Sequence, residues 1–226
     1  MAAPAPVTRQ VSSHAAPAPA PTGPERGQLP AAAVAKLPVL DASRKWVPFG
    51  ALFLEHRAVV VFVRHFLCYI CREYVQDLAK IPKSVLQEAD VTLIVIGHLS
   101  YHHIEPFCKL NGYSHEIYVD PEREIYKRLE MKRGEGIAFS GQSPHVKSHI
   151  LSGSIQILWW AVTGSLFDFQ GDPAQQGGTL ILGPGSKVHF IQCNRNRLDQ
   201  KPINSILQLV GVLHVNFASR PSVIHV

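Results

Sequence analysis

Two hydrophobic periods alternate along this chain, and each change of period marks an element. Ala58 to Val63 and Val91 to Gly97 are short runs in which nearly every residue is apolar. Unbroken β-branched runs of this length predict strands buried on both faces. Glu116 to Val119 predicts a shorter strand, and Gly177 to Leu182 with Lys187 to Ile191 predicts a hairpin turning at Gly183-Pro184-Gly185-Ser186. Between these runs the spacing is helical. Cys71, Val75 and Leu78 recur on one face, and Pro82 either ends or kinks that helix. Ser100 is the expected N-cap of a helix through Ile104, Phe107 and Leu110, stopped by Asn111-Gly112. Asp120 and Pro121 are expected at N-cap and N1 of a helix from Glu122 to about Met131. Further helices are predicted over Ile150 to Thr163 and Ile203 to Leu213. Strands alternating with helices imply a central α/β sheet covered on both sides. The late hairpin adds an antiparallel edge.

Residues 1–36 are rich in Ala and Pro and poor in large apolar side chains, so they read as a disordered tail. Order is expected to begin at Leu37 to Asp41, followed by a short strand or turn at Trp46 to Phe49 and a covering segment to Phe53. One domain then spans residues 37–213, with an insertion at about 132–176 before the hairpin and an extension at 214–226. The net charge of +5 changes little, because Lys and Arg are interleaved with Asp and Glu, as in Glu122-Arg123-Glu124. No basic stripe with interleaved aromatics favours nucleic acid. No apolar run reaches the length of a membrane span. The start of the chain lacks a charged-then-apolar leader, so a reducing cytoplasmic compartment is the expectation.

The candidate chemistry sits where the first buried strand gives way to a helix. Arg64-His65-Phe66-Leu67 leads into Cys68-Tyr69-Ile70-Cys71. Cysteines at i and i+3 on a first helical turn share a face and suit a disulfide. The unpaired N–H groups of that turn favour a thiolate, and Arg64 and Arg72 act in the same direction. A C-x-x-C delivered by a strand to a helix start is the thioredoxin-like redox signature, and the element order is a thioredoxin-like topology with one insertion. Three other readings compete: a zinc half-site, two inert core cysteines, and a redox site that has lost its activity while keeping the fold. Zinc wants four ligands, and Cys108, Cys193 and His102-His103 are isolated from the motif in sequence. No metal or cofactor is expected.

The chain resembles the peroxiredoxin-like 2 family, whose members carry an AhpC/TSA-type antioxidant domain. The resemblance rests on Val63 to Cys71, Tyr118 to Tyr126 and Gln176 to Gly185, and extends from about Leu37 to Leu213. It implies a thioredoxin-like fold and an antioxidant or redox role. True peroxiredoxins carry Pro-x-x-x-Thr-x-x-Cys in this loop. In that register Arg64 stands for Pro, Cys68 for the peroxide-orienting Thr, and Cys71 for the peroxidatic Cys. The Arg that peroxiredoxins place before the next strand is replaced by Gln176, Gly177 and Gly178. The cis-Pro that faces a thioredoxin C-x-x-C is also missing, since Gly178 precedes Thr179.

The two parent registers disagree about which sulfur attacks. Local physics favours Cys68, which lies at the loop end of the helix and is expected within reach of solvent, whereas Cys71 faces the core. Cys68, Cys71 and Arg64 are therefore the candidate catalytic residues. Cys108 reads as a buried structural thiol and His102-His103 as solvated. Cys193 is a loop cysteine, with a resolving role as its alternative. Of Trp159-Trp160, one ring is expected in the core. Two functions follow. One is a thiol redox protein cycling Cys68 and Cys71, served by a thiol reductant or a protein dithiol. The other is a non-catalytic interaction module acting in signalling.

Overall fold

The computed structural model describes residues 31–134 and 172–212. The expected helix at 150–163, with Trp159 and Trp160, most of the insertion and the 214–226 extension lie outside the described residues. In chain order the strands are β1 (Pro38–Leu40), β2 (Trp46–Pro48), β3 (Arg57–Phe62), β4 (Val91–Gly97), β5 (Glu116–Val119), β6 (Gly178–Leu182) and β7 (Val188–Cys193). The helices are α1 (Ala31–Ala35), α2 (Tyr69–Leu78), α3 (Lys83–Glu88), α4 (Ile104–Asn111), α5 (Glu124–Arg128) and α6 (Ile203–Leu209).

One seven-stranded sheet runs in the order β2-β1-β5-β4-β3-β6-β7. Its centre is parallel: β3 pairs with β4, Val61 opposite Val95, and β4 pairs with β5, Val95 opposite Ile117. Parallel strands need crossover helices, which cover both faces and make near-continuous apolar runs obligatory. The hairpin β6–β7 adds the antiparallel edge, Val61 opposite Thr179. On one face Val59, Val61 and Val95 pack with Cys71, Val75 and Leu78 of α2, Phe107 of α4 and Ile206 of α6. On the other, Val60, Phe62 and Ile94 pack with Val34 of α1, Phe49 and Phe53 of a 3-10 turn, and Ile125 and Tyr126 of α5.

Four expectations need correction. The tail is not featureless up to residue 36: α1 forms at its end, and Val34 is buried against the sheet. A single apolar side chain in an Ala run carries no periodic signal, so this docking was invisible. The segments expected at Leu37 to Asp41 and Trp46 to Phe49 pair as a second antiparallel edge, β1–β2, which three-residue strands cannot announce by a period. Its turn is built by the Asp41 carboxylate, which accepts the N–H groups of Ser43 and Lys45, both at 2.9 Å. The helix expected from Glu122 begins two residues later, because Arg123 has a left-handed backbone with φ 57°. Asp120 reaches past it and accepts the N–H groups of Glu124 (3.1 Å) and Ile125 (2.8 Å). Finally, Ser100 precedes a 3-10 turn, Tyr101–His103, rather than the α-helix itself, and its side chain makes no capping bond. Pro82 resolves as the start of a separate helix, α3.

Tyr126 locks the carboxyl ends of β3 and β4 together. Its buried hydroxyl lies 2.7 Å from the Val63 carbonyl and 2.9 Å from the Ile96 carbonyl, and its one proton is shared between them. Tyr126→Phe keeps the ring and removes the donor. The expected cost is about 1–3 kcal/mol, the penalty for a buried acceptor left short of its bond. Urea unfolding of the parent and the variant measures it. A change below about 0.5 kcal/mol would mean that the hydroxyl holds nothing.

Candidate active site

Residues 63–68 connect β3 to α2 at the carboxyl ends of the parallel strands, the place where open α/β sheets bind ligands. The loop is anchored by Phe66, whose ring stacks on Phe107 with centroids 4.4 Å apart. That ring lies so close to the end of β4 that a Cβ on Gly97 would come within 2.6 Å of it, so the loop fits only over glycine. Cys68 is the N-cap of α2 with extended backbone, and Cys71 sits one turn in. Both thiols are free, and no disulfide joins them. The expectation of a buried Cys71 is met, at 1% exposure. The expectation that solvent reaches Cys68 is not, since it is only 5% exposed. Cys68 closes the same apolar cluster as Phe66 and Tyr69, so the loop end of the helix is covered by its own loop.

Burial alone would push both thiols toward the neutral form. At Cys68 other forces win. A hydrogen bond from the Cys71 thiol is the largest, followed by the Cys71 backbone N–H and the Arg64 charge, and together they lower the pKa to about 6. Cys71 moves the opposite way, because it donates to Cys68 and is itself desolvated. The pair is therefore asymmetric, with ionisation favoured at Cys68 and opposed at Cys71.

Arg64 is aimed rather than free. Its Nη1 lies 3.9 Å from the Cys68 sulfur. Its Nη2 donates to the Pro173 carbonyl at 2.6 Å, and its Nε to the Gln175 carbonyl at 3.2 Å. These carbonyls belong to the segment that returns to the sheet just before β6. Asp172 at its head takes ion pairs from Arg123 (2.5 Å) and Arg133 (2.6 Å). Buried Gln175 then donates to the Met131 and Lys132 carbonyls, and buried Gln176 to the Gly134 carbonyl. Gln176, in the stretch before β6, is thus used to tie backbone together. Gly177 follows because a Cβ there would collide with the Phe62 carbonyl, 1.9 Å away.

Three other candidates fall outside the pair. Cys193 ends β7, half-buried, and its sulfur faces the Leu129 carbonyl at 3.5 Å on the far side of the sheet, so it does not meet Cys68 or Cys71. Cys108 is half-buried in α4, and burial raises its pKa. His102 is exposed at the 3-10 turn. Among the described residues no group of three or more His, Cys, Asp or Glu is placed to hold a metal ion. Two histidines near the site were missed. His65 and His98 lie with ring centroids 6.2 Å apart, and burial keeps both neutral by lowering their pKa to about 3 and about 4. The available signal was position: each follows the carboxyl end of a parallel strand.

Replacing Arg64 tests the electrostatics. In the parent, the alkylation rate of Cys68 should rise with pH and level off above about 6, since the thiolate is the nucleophile. Arg64→Gln removes the charge and should move that inflection upward by about 1–2 units. Mass spectrometry of the Cys68 peptide after timed iodoacetamide exposure checks it. An unchanged inflection would show that the Cys71 donors act alone.

The sequence profile of the AhpC/TSA antioxidant enzyme family matches residues 77–196, downstream of both cysteines. The chain is 80% identical over 226 residues to Peroxiredoxin-like 2C of Homo sapiens, covering 100% of each. It is 52% identical over 191 residues to the Takifugu rubripes protein of the same name, covering 83% of this chain and 84% of that one. Among solved structures, peroxidoxin BcpB of Mycobacterium tuberculosis superposes with a TM-score of 0.54 at 10% identity, covering 79% of this chain and 94% of that one. That likeness shows a peroxiredoxin-type α/β fold. No helix among the described residues is long and apolar enough to cross a membrane. With relatives this similar over the whole chain, and the AhpC/TSA profile over more than half of it, the chain belongs to the peroxiredoxin-like 2 family.

Proposed function

We propose that the protein is a thiol redox protein, antioxidant or redox-regulatory, in which Cys68 attacks and Cys71 resolves. The observation that carries this is the asymmetry of the pair. Cys68 receives hydrogen bonds from Cys71 and lies 3.9 Å from the Arg64 guanidinium, whereas Cys71 keeps its proton. The Cys68 thiolate attacks an oxygen of a hydroperoxide, the O–O bond breaks, and the departing alkoxide takes up a proton. Cys68 is left as a sulfenic acid. The Cys71 sulfur then displaces its oxygen as water, closing a disulfide that an external dithiol reduces in two exchange steps. A disulfide substrate enters the same cycle at the first step, with a thiolate as leaving group.

Peroxide is the slower of these oxidants. Breaking an O–O bond needs donors aimed at both oxygens. Arg64 supplies some, but its Nε and Nη2 already serve backbone carbonyls. The other reading, an interaction module without chemistry, has one observation in its favour: both sulfurs are nearly closed to solvent, at 5% and 1% exposure.

Two measurements decide between them. Oxidised protein should lose two alkylatable thiols, recover them with a dithiol reductant, and yield a linked peptide containing Cys68 and Cys71. Four free thiols under oxidant would leave only the interaction module. In the single variants, the fast low-pH alkylation phase should vanish in Cys68→Ser and persist in Cys71→Ser. In Cys71→Ala, which removes the side-chain donor to Cys68 altogether, that phase should titrate higher. The reverse pattern would assign the attacking sulfur to Cys71. Stopped-flow consumption of hydrogen peroxide should be slow, and a rate near that of dedicated peroxidases would give Arg64 a direct role at the O–O bond.

A further inference from the structure

Asp172-Pro173-Ala174-Gln175 has the sequence of a β-turn, with Asp at its first position and Pro, whose φ is already set, at its second. The structure closes that turn twice. The Gln175 N–H donates to the Asp172 carbonyl at 3.1 Å, and the Ala174 N–H donates to the Asp172 Oδ1 at 2.9 Å. The second carboxylate oxygen, Oδ2, accepts from Arg123 Nη1 at 2.5 Å and from Arg133 Nε at 2.6 Å. Arg123 reaches it from a left-handed backbone, φ 57°, that residues other than glycine seldom adopt. One carboxylate therefore shapes the turn and fastens it to two other parts of the chain.

The four carbonyls of the turn are all engaged. That of Asp172 closes the turn, and that of Ala174 accepts the Gly134 N–H at 2.8 Å. Those of Pro173 and Gln175 accept Nη2 and Nε of Arg64, at 2.6 and 3.2 Å. A guanidinium is planar and rigid, so fixing two of its nitrogens fixes the third. The third is Nη1, 3.9 Å from the Cys68 sulfur.

We propose that Asp172 is a positioning residue of the candidate site: its carboxylate shapes and fastens the turn whose Pro173 and Gln175 carbonyls hold the Arg64 guanidinium against the Cys68 sulfur. This rests on the reading of Cys68 as the attacking thiolate, and adds to it a group that acts only through Arg64. The sign of the effect separates positioning from plain charge. Burial opposes the Asp172 charge, but the Ala174 N–H and the two guanidiniums outweigh it and keep its pKa below the ordinary carboxylate value. Removing such an anion would by Coulomb attraction alone lower the pKa of a nearby thiol. Releasing Arg64 does the opposite, because a long side chain free to turn into solvent spends less time beside the sulfur.

Asp172→Asn in the full chain tests this. Asn keeps an oxygen for the Ala174 N–H and loses the charge that draws the two arginines. The inflection of Cys68 alkylation, read by timed iodoacetamide labelling and peptide mass spectrometry, should rise by about 0.5–1 unit, less than on loss of Arg64 itself. In an Arg64→Gln background the same change should no longer raise it, since the intermediary is gone. Arg133→Gln is the second route. Arg133 is 68% exposed, so its loss spares the core, and it decides the matter where Asp172→Asn does not fold. It should give a smaller rise that likewise disappears without Arg64. A parent with no Cys68 inflection near about 6 would overturn the thiolate reading, and this proposal with it. A parent that shows the inflection, with variants that leave it in place, lower it, or raise it even in the Arg64→Gln background, would overturn this proposal alone.

Discussion

A thiol removed from water does not ionise unless donors replace the water, and the site of this protein is arranged around that constraint. Cys68 is almost closed to solvent, and desolvation opposes its thiolate. The donors that reverse the balance are a neighbouring thiol one helical turn away, a backbone N–H of the first turn of α2, and a guanidinium. The helix supplies the first two locally, because residues at N-cap and N3 face one another across unpaired N–H groups. The third comes from the loop before the helix, and a long flexible side chain there would lose much of its effect to rotamer freedom. It keeps that effect because two backbone carbonyls hold it.

Those carbonyls connect the candidate site to a segment far along the chain, 109 and 111 residues beyond Arg64. Arg64 bonds to Gln175, 111 residues further along the chain, and the segment carrying it is itself clamped by Asp172 to Arg123 and Arg133. Side-chain amides of Gln175 and Gln176 finish the clamp from inside. Ordering of the segment before β6 and tuning of the Cys68 thiolate are thus a single problem. The Arg that peroxiredoxins place here gives way to glutamines that bond to backbone. The positive charge at the sulfur comes from Arg64, in the loop that precedes α2.

Family membership and chemistry rest on different stretches of the chain. The AhpC/TSA profile covers residues 77–196, which build β4, β5, α5 and the late hairpin, and it stops short of the C-x-x-C. The shared part sets the carboxyl ends of β4 and β5 side by side. The candidate pair lies in the loop at 63–71. That loop departs from the peroxiredoxin pattern, so the fold is that of a peroxiredoxin, whereas the candidate groups form a C-x-x-C.

Much of this was legible in the residues alone, for a physical reason. The parallel core of the sheet is apolar on both faces, so β3 and β4 read directly as runs, and α2 reads from Cys71, Val75 and Leu78 in phase. A C-x-x-C at their junction needs only local geometry, so Cys68, Cys71 and Arg64 could be named as candidates without coordinates. The features that the sequence left open depend on contacts between distant residues. The β1–β2 edge and α1 are too short to show a period and exist because the sheet offers them a place. Cys68 is buried because Phe66 folds its loop onto Phe107 over Gly97, a packing that no spacing encodes. His98 looks like any residue after a strand until the chain surrounds it. Local patterns determined the long elements and pointed to the candidate site. Tertiary packing alone decided how far the sulfur is from water and which backbone carbonyls hold the guanidinium beside it.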